Sequence, residues 1–284
     1  MYIESTETFS FIEKLFPQFS DIETTKKFVD ALDQAIKQRK ASPDSSQSSK
    51  DFIGVIIEMM EKIDTPEYKK LNITKDTITA QAIEFYIAGY DSVLASLTML
   101  AYNLAKNPNI QNELIEEIDT LSHKFAGKLD HDALEGAELL TACITETVRL
   151  SPAFPRPDRL CTKDWSYNED GKSLSLKKGD LVLIPCWAAN RNPDIFTDPE
   201  EFKPERFMGE SRKKIHPYGM TSFGFGPRNC IGMRMAYEIV KIIICRILKD
   251  YRLEERNDTK LNLLAGFGFV TRWTDPIIVD LVKR

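Results

Sequence analysis

The chain has 284 residues, 42% hydrophobic and 29% charged, with 14 Pro and 13 Gly. That is globular composition, and it excludes a disordered, collagen-like or low-complexity chain. Lys and Arg total 38 against 43 Asp and Glu, a formal net charge of −5, which argues against the coating of nucleic acid as its main task.

At this length one domain or a tight pair is expected. The five Cys, at 143, 161, 186, 230 and 245, include no C-x-x-C pair. The three His, at 123, 131 and 216, never share a helical turn. A disulfide scaffold, a Cys-rich zinc site and a His-rich metal cage are therefore not expected. The longest apolar run, Leu181 to Ala189, is strand-length and contains Pro185, so no membrane span is predicted. The first residues, MYIESTETFSFIEK, lack the basic start and apolar stretch of a secretory signal.

Helical spacing covers about Glu23 to Arg39, followed by the polar, Ser-rich run 41–51, read as an exposed loop. A short amphipathic helix is predicted over about Phe52 to Lys62. From about Asp76 to Lys106 Ile83, Ile87, Tyr90, Leu94, Leu97, Ala101 and Leu104 recur at steps of three and four. With Phe85, Tyr86 and Met99 off that stripe, this long central helix is expected to run through the core. Asn107-Pro108 ends it and starts a helix to about Leu121, because Pro fits the first helical turn. Another helix spans about Ala137 to Leu150. Lys172 to Leu176 and Asp180 to Pro185 read as two strands around a Lys-Lys-Gly turn. Residues 190–229 carry five Pro and read as a long irregular stretch, which inside a compact domain is usually functional. A helix from about Ile231 to Lys249 and a small C-terminal hairpin, LLAGFGFVTRW with PIIVDLV, complete a mainly α chain with small β-sheets and hairpins.

The richest segment is 223–232, FGFGPRNCIG. Gly224 and Gly226, two apart, permit left-handed turns and close backbone approach, Pro227 stiffens the loop, and Cys230 falls at the start of the last helix. Exposed N–H groups and the positive helix end favour a thiolate there. Such a sulfur can be a nucleophile, a redox thiol or a metal ligand. The base rate for a lone Cys is a buried structural one, the reading given to Cys143, Cys186 and Cys245. A dinucleotide loop fails, because the third glycine position is Asn229 and no strand precedes it.

The pattern F-x-x-G-x-R-x-C-x-G, met by Phe223, Gly226, Arg228, Cys230 and Gly232, resembles the signature of the haem-thiolate monooxygenases, the cytochrome P-450 family. The resemblance implies haem b with Cys230 as its axial thiolate, Arg228 on a haem propionate, Gly232 beneath the porphyrin and Phe223 shielding the sulfur. Glu146 and Arg149, at i and i+3, would alone be an ordinary surface pair of about 1 kcal/mol at most. Their order ahead of Pro204-Glu-Arg-Phe207 resembles the family's buried charge cluster, completed by Arg206. Ala88-Gly-Tyr-Asp-Ser92 joins three poor helix formers in mid-helix, which suggests a functional interruption. By resemblance it is the oxygen-binding groove, with Ala88 and Gly89 giving room and Asp91 and Ser92 relaying protons. The family usually has Thr at the Ser92 position, and often at Val93. Arg156 resembles a second propionate arginine, and Ala153, Phe154, Phe267 and Phe269 resemble pocket walls. The basic run Arg212-Lys-Lys214 resembles a reductase contact.

The resemblance runs from about residue 20 onward, so an N-terminally truncated form of that fold is expected. It implies oxygen insertion into a small lipophilic substrate, electrons from NADPH through a partner reductase, and the endoplasmic reticulum surface for an intact relative. The alternatives are a haem-thiolate peroxide isomerase and a non-catalytic or incomplete fragment.

Overall fold

The computed structural model describes residues 22–41, 51–256, 258, 259, 261, 271 and 275–284. Its backbone divides into two compact units, Met1–Ala88 and Gly89–Arg284. The run 41–51 keeps Ala41 as the end of a helix and Asp51 as the cap of the next, while 42–50 lies outside the described residues.

The first unit holds α1 (Ile22–Ala41), α2 (Phe52–Glu61), α3 (Pro66–Lys70) and the opening turns of α4 (Lys75–Lys106). Asp51 caps α2 by accepting the Gly54 N–H at 2.9 Å and the Arg39 guanidinium at 2.7 Å. These bonds hold its carboxyl below the usual range. Ile36, Ile56, Ile78 and Ala82 form the buried centre, flanked by Leu32, Ile53 and Met60.

The second unit begins with the rest of α4, followed by α5 (Pro108–Lys124), α6 (His131–Leu134) and α7 (Glu138–Leu150). After the strands come α8 (Cys186–Ala189), α9 (Gly209–Lys214) and α10 (Met233–Asp250). Its core joins Leu100 and Leu104 of α4, Leu114 and Ile118 of α5, Leu140 and Ile144 of α7, and Ile244 and Leu248 of α10. Of the stripe predicted for α4, Leu104 is in this core and Leu97 and Ala101 pack against it, and burying each large apolar side chain contributes roughly 1.5–3 kcal/mol. Pro108 occupies the first turn of α5 as expected. The Ala137 cap of α7 supplies no side-chain acceptor. Glu117 of α5 does so instead, accepting the N–H groups of Leu139 and Leu140 at 2.9 Å each. Buried Gln111 donates to the carbonyls of Leu104 and Leu253 and accepts the Leu253 N–H at 2.8 Å.

Two expectations for α4 need correction. The helix is unbroken through Ala88–Ser92; the cost of Gly89, about 1 kcal/mol, is small beside the hydrogen bonds of a 32-residue helix with buried residues at both ends. Nor does the whole helix run through a core. Phe85, Tyr86, Ile87, Tyr90 and Leu94 are 44–59% exposed, in a stretch between buried Ile78 and Ala82 and the dense burial that resumes at Met99. Its all-round apolar surface exceeds what the described residues cover.

The strands also pair differently from the sequence reading. β2 (Trp165–Glu169) pairs antiparallel with β3 (Lys172–Leu176), Tyr167 opposite Leu174. β1 (Asp158–Leu160) pairs with β4 (Leu181–Leu183), Arg159 opposite Val182. Lys172–Leu176 and Asp180–Pro185 are therefore not partners. The tight turn lies at Asp170-Gly171, both with positive φ (52° and 73°), the backbone that a two-residue hairpin needs. Residues 190–229 are largely irregular, with 3-10 turns at Pro204–Phe207 and Gly226–Arg228 and α9 between them. β5 (Tyr251–Glu255) pairs with β6 (Val279–Lys283), Leu253 opposite Leu281. Residues 262–270, with Phe267 and Phe269, lie outside the described residues.

Candidate functional site

The last turn of α7 carries the most fully desolvated charges described. Glu146 and Arg149 side chains are both 0% exposed. Arg149 forks onto the carboxylate, Nε to Oε2 at 2.6 Å and Nη2 to Oε1 at 2.8 Å. Its remaining donors reach the carbonyls of Asn190 (2.9 Å), Pro199 (2.8 Å) and Glu201 (3.2 Å). Glu146 Oε1 also accepts the Lys203 N–H at 2.9 Å and Arg206 Nε at 3.3 Å. The Phe196 ring lies 4.9 Å from the guanidinium carbon. The three residues predicted as a cluster thus do meet, and every polar atom has a partner, as such burial requires.

Asn190, fully buried, ties this cluster to the next segment. Its amide donates to the Arg149 carbonyl (3.2 Å) and to Ser222 Oγ (2.8 Å), and its oxygen accepts the Thr221 N–H and hydroxyl at 2.9 and 3.0 Å. Ser222 in turn donates to the Val148 carbonyl at 2.6 Å. Sequence reasoning missed Asn190, since a single Asn in a Pro-rich stretch carries no local pattern.

Thr221-Ser222 lead directly into the cysteine loop. Gly224 and Gly226 adopt positive φ of 68° and 73°, which explains both glycines. The Cys230 N–H donates to the Phe223 carbonyl at 2.8 Å and closes the loop. α10 begins at Met233 with Gly232 as its cap, two residues later than predicted. Cys230 is exposed, in contrast to buried Cys143 and Cys186. Burial pushes the Cys143 thiol well above its ordinary value and that of Cys245 to about 12. The Phe223 ring lies 5.7 Å from that of Tyr237. Tyr237 hydroxyl bonds Thr145 Oγ1 at 2.9 Å, and Thr145 donates to the Thr141 carbonyl. Burial raises the Tyr237 phenol above its usual value.

Arg228 and Arg156 are both exposed, and neither forms an ion pair with a described residue. Arg159 donates to the Arg228 carbonyl at 3.4 Å, linking β1 to the loop. Phe154 is 39% exposed, whereas Ala153 is half-buried and its carbonyl accepts the Thr271 N–H at 2.7 Å. On α4, Ala88 ends the first unit; Gly89, Asp91 and Ser92 open the second, where a Cβ on Gly89 would meet nothing within 4 Å. Asp91 and Ser92 are half-buried, and the Ser92 carbonyl accepts Ser96 Oγ at 2.9 Å. Arg212, Lys213 and Lys214 form the exposed last turn of α9, with Lys213 paired to Glu210.

Among the described residues no helix is long and apolar enough to cross a membrane. The cysteine loop, the charge cluster behind it and the mainly helical architecture define one class of protein. A family model described as Cytochrome P450 matches residues 5–278, starting earlier than the sequence alone suggested, and the chain belongs to that family. It is 31% identical over 278 residues to Cytochrome P450 3A29 of Sus scrofa, covering 97% of this chain and 54% of that protein. It is 30% identical to Cytochrome P450 3A7 of Homo sapiens, covering 100% and 55%, and 36% identical to Cytochrome P450 3A27 of Oncorhynchus mykiss, covering 79% and 43%. The chain thus spans about half the length of the curated relatives it matches.

Proposed function

We propose that this chain carries the haem-binding portion of a monooxygenase that inserts one atom of dioxygen into an apolar organic substrate. The other atom leaves as water, consuming two electrons and two protons. The observation that carries this reading is the exposed Cys230 sulfur, presented by a loop that its own N–H closes onto the Phe223 carbonyl. Among the described residues no group of three His, Cys, Asp or Glu could hold a bare ion. An iron at Cys230 therefore needs a group that brings its own ligands, as a porphyrin does. The surroundings suit an apolar disc with acidic edges: Ile231 is 85%, Met235 65% and Phe225 42% exposed, and Arg228 and Arg156 have guanidinium donors to spare.

In this reading Cys230 would supply the thiolate that holds a haem iron, Arg228 and Arg156 would bind the propionates, and Phe223, Gly226 and Gly232 would shape the loop that presents the sulfur. Ala88 and Gly89 leave room along α4. Haem, when bound, supplies the activation of dioxygen. Asp91 and Ser92 deliver protons: the Ser92 hydroxyl donates and is refilled from the Asp91 side. Glu146, Arg149 and Arg206 act on folding and haem incorporation. Ala153 and Phe154 border the substrate. Electrons come from NADPH through a reductase, and an intact relative works at the endoplasmic reticulum surface.

The test is the reduced, carbon monoxide-difference spectrum of the haem-reconstituted chain. A thiolate-type Soret band that Cys230→Ser abolishes, with far-UV circular dichroism unchanged, is the expected result. A thiolate-type band that survives Cys230→Ser refutes the assignment.

A further inference from the structure

A concave feature lies in the second unit, where the loop after α5 and the start of α6 meet the last two turns of α10. It has a volume of about 440 Å³. Its floor is apolar, formed by half-buried Leu129 and Ile242. Its rim carries Lys128, Arg246 and Lys249. Ile242, Arg246 and Lys249 share one face of α10, at i, i+4 and i+7.

None of these three cations forms an ion pair or a side-chain hydrogen bond with a described residue. Other cations of the chain are paired, such as Lys62 with Glu58 and Lys203 with Asp198, and others again, Arg156 and Arg228 among them, are not; what sets these three apart is that they line one cleft over an apolar floor. The ordinary reason for cations at a helix C-terminus is to satisfy its last carbonyls. Here Arg284 already does so, donating to the carbonyls of Leu248 (2.7 Å) and Lys249 (3.3 Å) while pairing with Asp119 at 2.5 Å. The other charged groups of the cleft are spoken for. Asp130 caps α6 through the Ala133 N–H at 3.3 Å, and His131 pairs with Glu238 at 2.9 Å.

We propose that this cleft binds a phosphate ester with a small apolar organic group, the phosphate held by Lys128, Arg246 and Lys249 and the organic part lying on Leu129 and Ile242. Cations without partners favour an anion. A volume within the range of small-molecule sites, well above that of one phosphate, together with the apolar floor, favours an organic ester over a bare ion. The inference is independent of haem, since no cleft residue belongs to the cysteine loop or the charge cluster.

The 284-residue chain is titrated calorimetrically with phenyl phosphate, inorganic phosphate and phenol at constant ionic strength. Phenyl phosphate is expected to bind saturably and about tenfold more tightly than inorganic phosphate, with phenol giving no saturable heat. Arg246→Glu and, separately, the loop substitution Lys128→Glu should each weaken phenyl phosphate by about tenfold or more, while Lys177→Glu, at a residue that follows β3 and does not line the cleft, leaves it unchanged. Sedimentation with phosphatidic acid vesicles separates the sources. Co-sedimentation lost in Arg246→Glu identifies a lipid headgroup, and phenyl phosphate binding without co-sedimentation identifies a soluble ester. Absence of saturable phenyl phosphate binding, or equal weakening by Lys177→Glu, overturns the proposal.

Discussion

Arg149→Ala removes the most heavily bonded cation described in the chain. The substitution leaves a fully buried Glu146 carboxylate with only the Lys203 N–H and Arg206 as partners, and strips a donor from three carbonyls. Breaking a buried pair from one side costs about 3–5 kcal/mol, and each carbonyl left dry adds about 1 kcal/mol. The expected loss is about 5 kcal/mol or more, comparable to the whole stability of a marginal domain. Arg149→Lys keeps the charge but cannot reproduce the planar fork, so a loss of about 2–3 kcal/mol is expected. Arg206→Ala gives up one 3.3 Å contact to Glu146 and one bond to the Asp198 carbonyl. Since Arg149 still neutralises Glu146, about 1–2 kcal/mol is expected. Urea unfolding followed by far-UV circular dichroism measures all three. A loss for Arg149→Ala within about 1 kcal/mol of zero, or a larger loss for Arg206→Ala, would contradict the reasoning.

Ser92→Ala in an intact, reductase-supported context should retain the carbon monoxide-difference band yet divert reducing equivalents to hydrogen peroxide; an unchanged peroxide yield makes the hydroxyl a bystander. Iodoacetamide on the native chain should label Cys230 well before Cys143 and Cys245, because burial raises both of the latter thiols; comparable labelling of all three in peptide mass spectra counts against the described burial. The Glu238 carboxylate raises the pKa of His131 above 6.5. A raised folded value means the pairing contributes in full below about 6.5 and fades as pH climbs through the folded pKa. An NMR titration should show that value falling back in Glu238→Gln, and no change in that variant dismisses the pair.

The long helices were legible from their apolar spacing and from breakers such as Asn107-Pro108 between α4 and α5, whereas the short helices α3, α6, α8 and α9 were not predicted. Strand pairing was not legible. Lys177-Lys178-Gly179 has the composition of a turn, but the Asp-Gly pair at 170–171 is the stronger hairpin signal and sets the pairing. The cysteine loop could be found because its glycines, proline and cysteine sit within ten consecutive positions, and Gly224 and Gly226 do take the backbone that only glycine adopts readily. The charge cluster was half legible. Three charged side chains could be named in advance, but the carbonyls of Pro199 and Glu201 and the Asn190 amide that complete it belong to irregular chain, where partners are set by tertiary geometry. The exposed side of α4 shows the opposite limit, since composition gives how apolar a helix is but not what lies against it.

Glu117 is the cap that α7 does not carry in its own sequence. A helix whose first amides are satisfied by a carboxylate more than twenty positions upstream has no autonomous start signal, so its nucleation waits for α5 to dock. A peptide of 137–150 should then be mostly coil, and one of 108–150 should gain more helicity than the sum of its parts, an excess that Glu117→Ala removes. The helix bearing Glu146 and Arg149 is then expected to order with α5 or after it, and the buried ion pair with it.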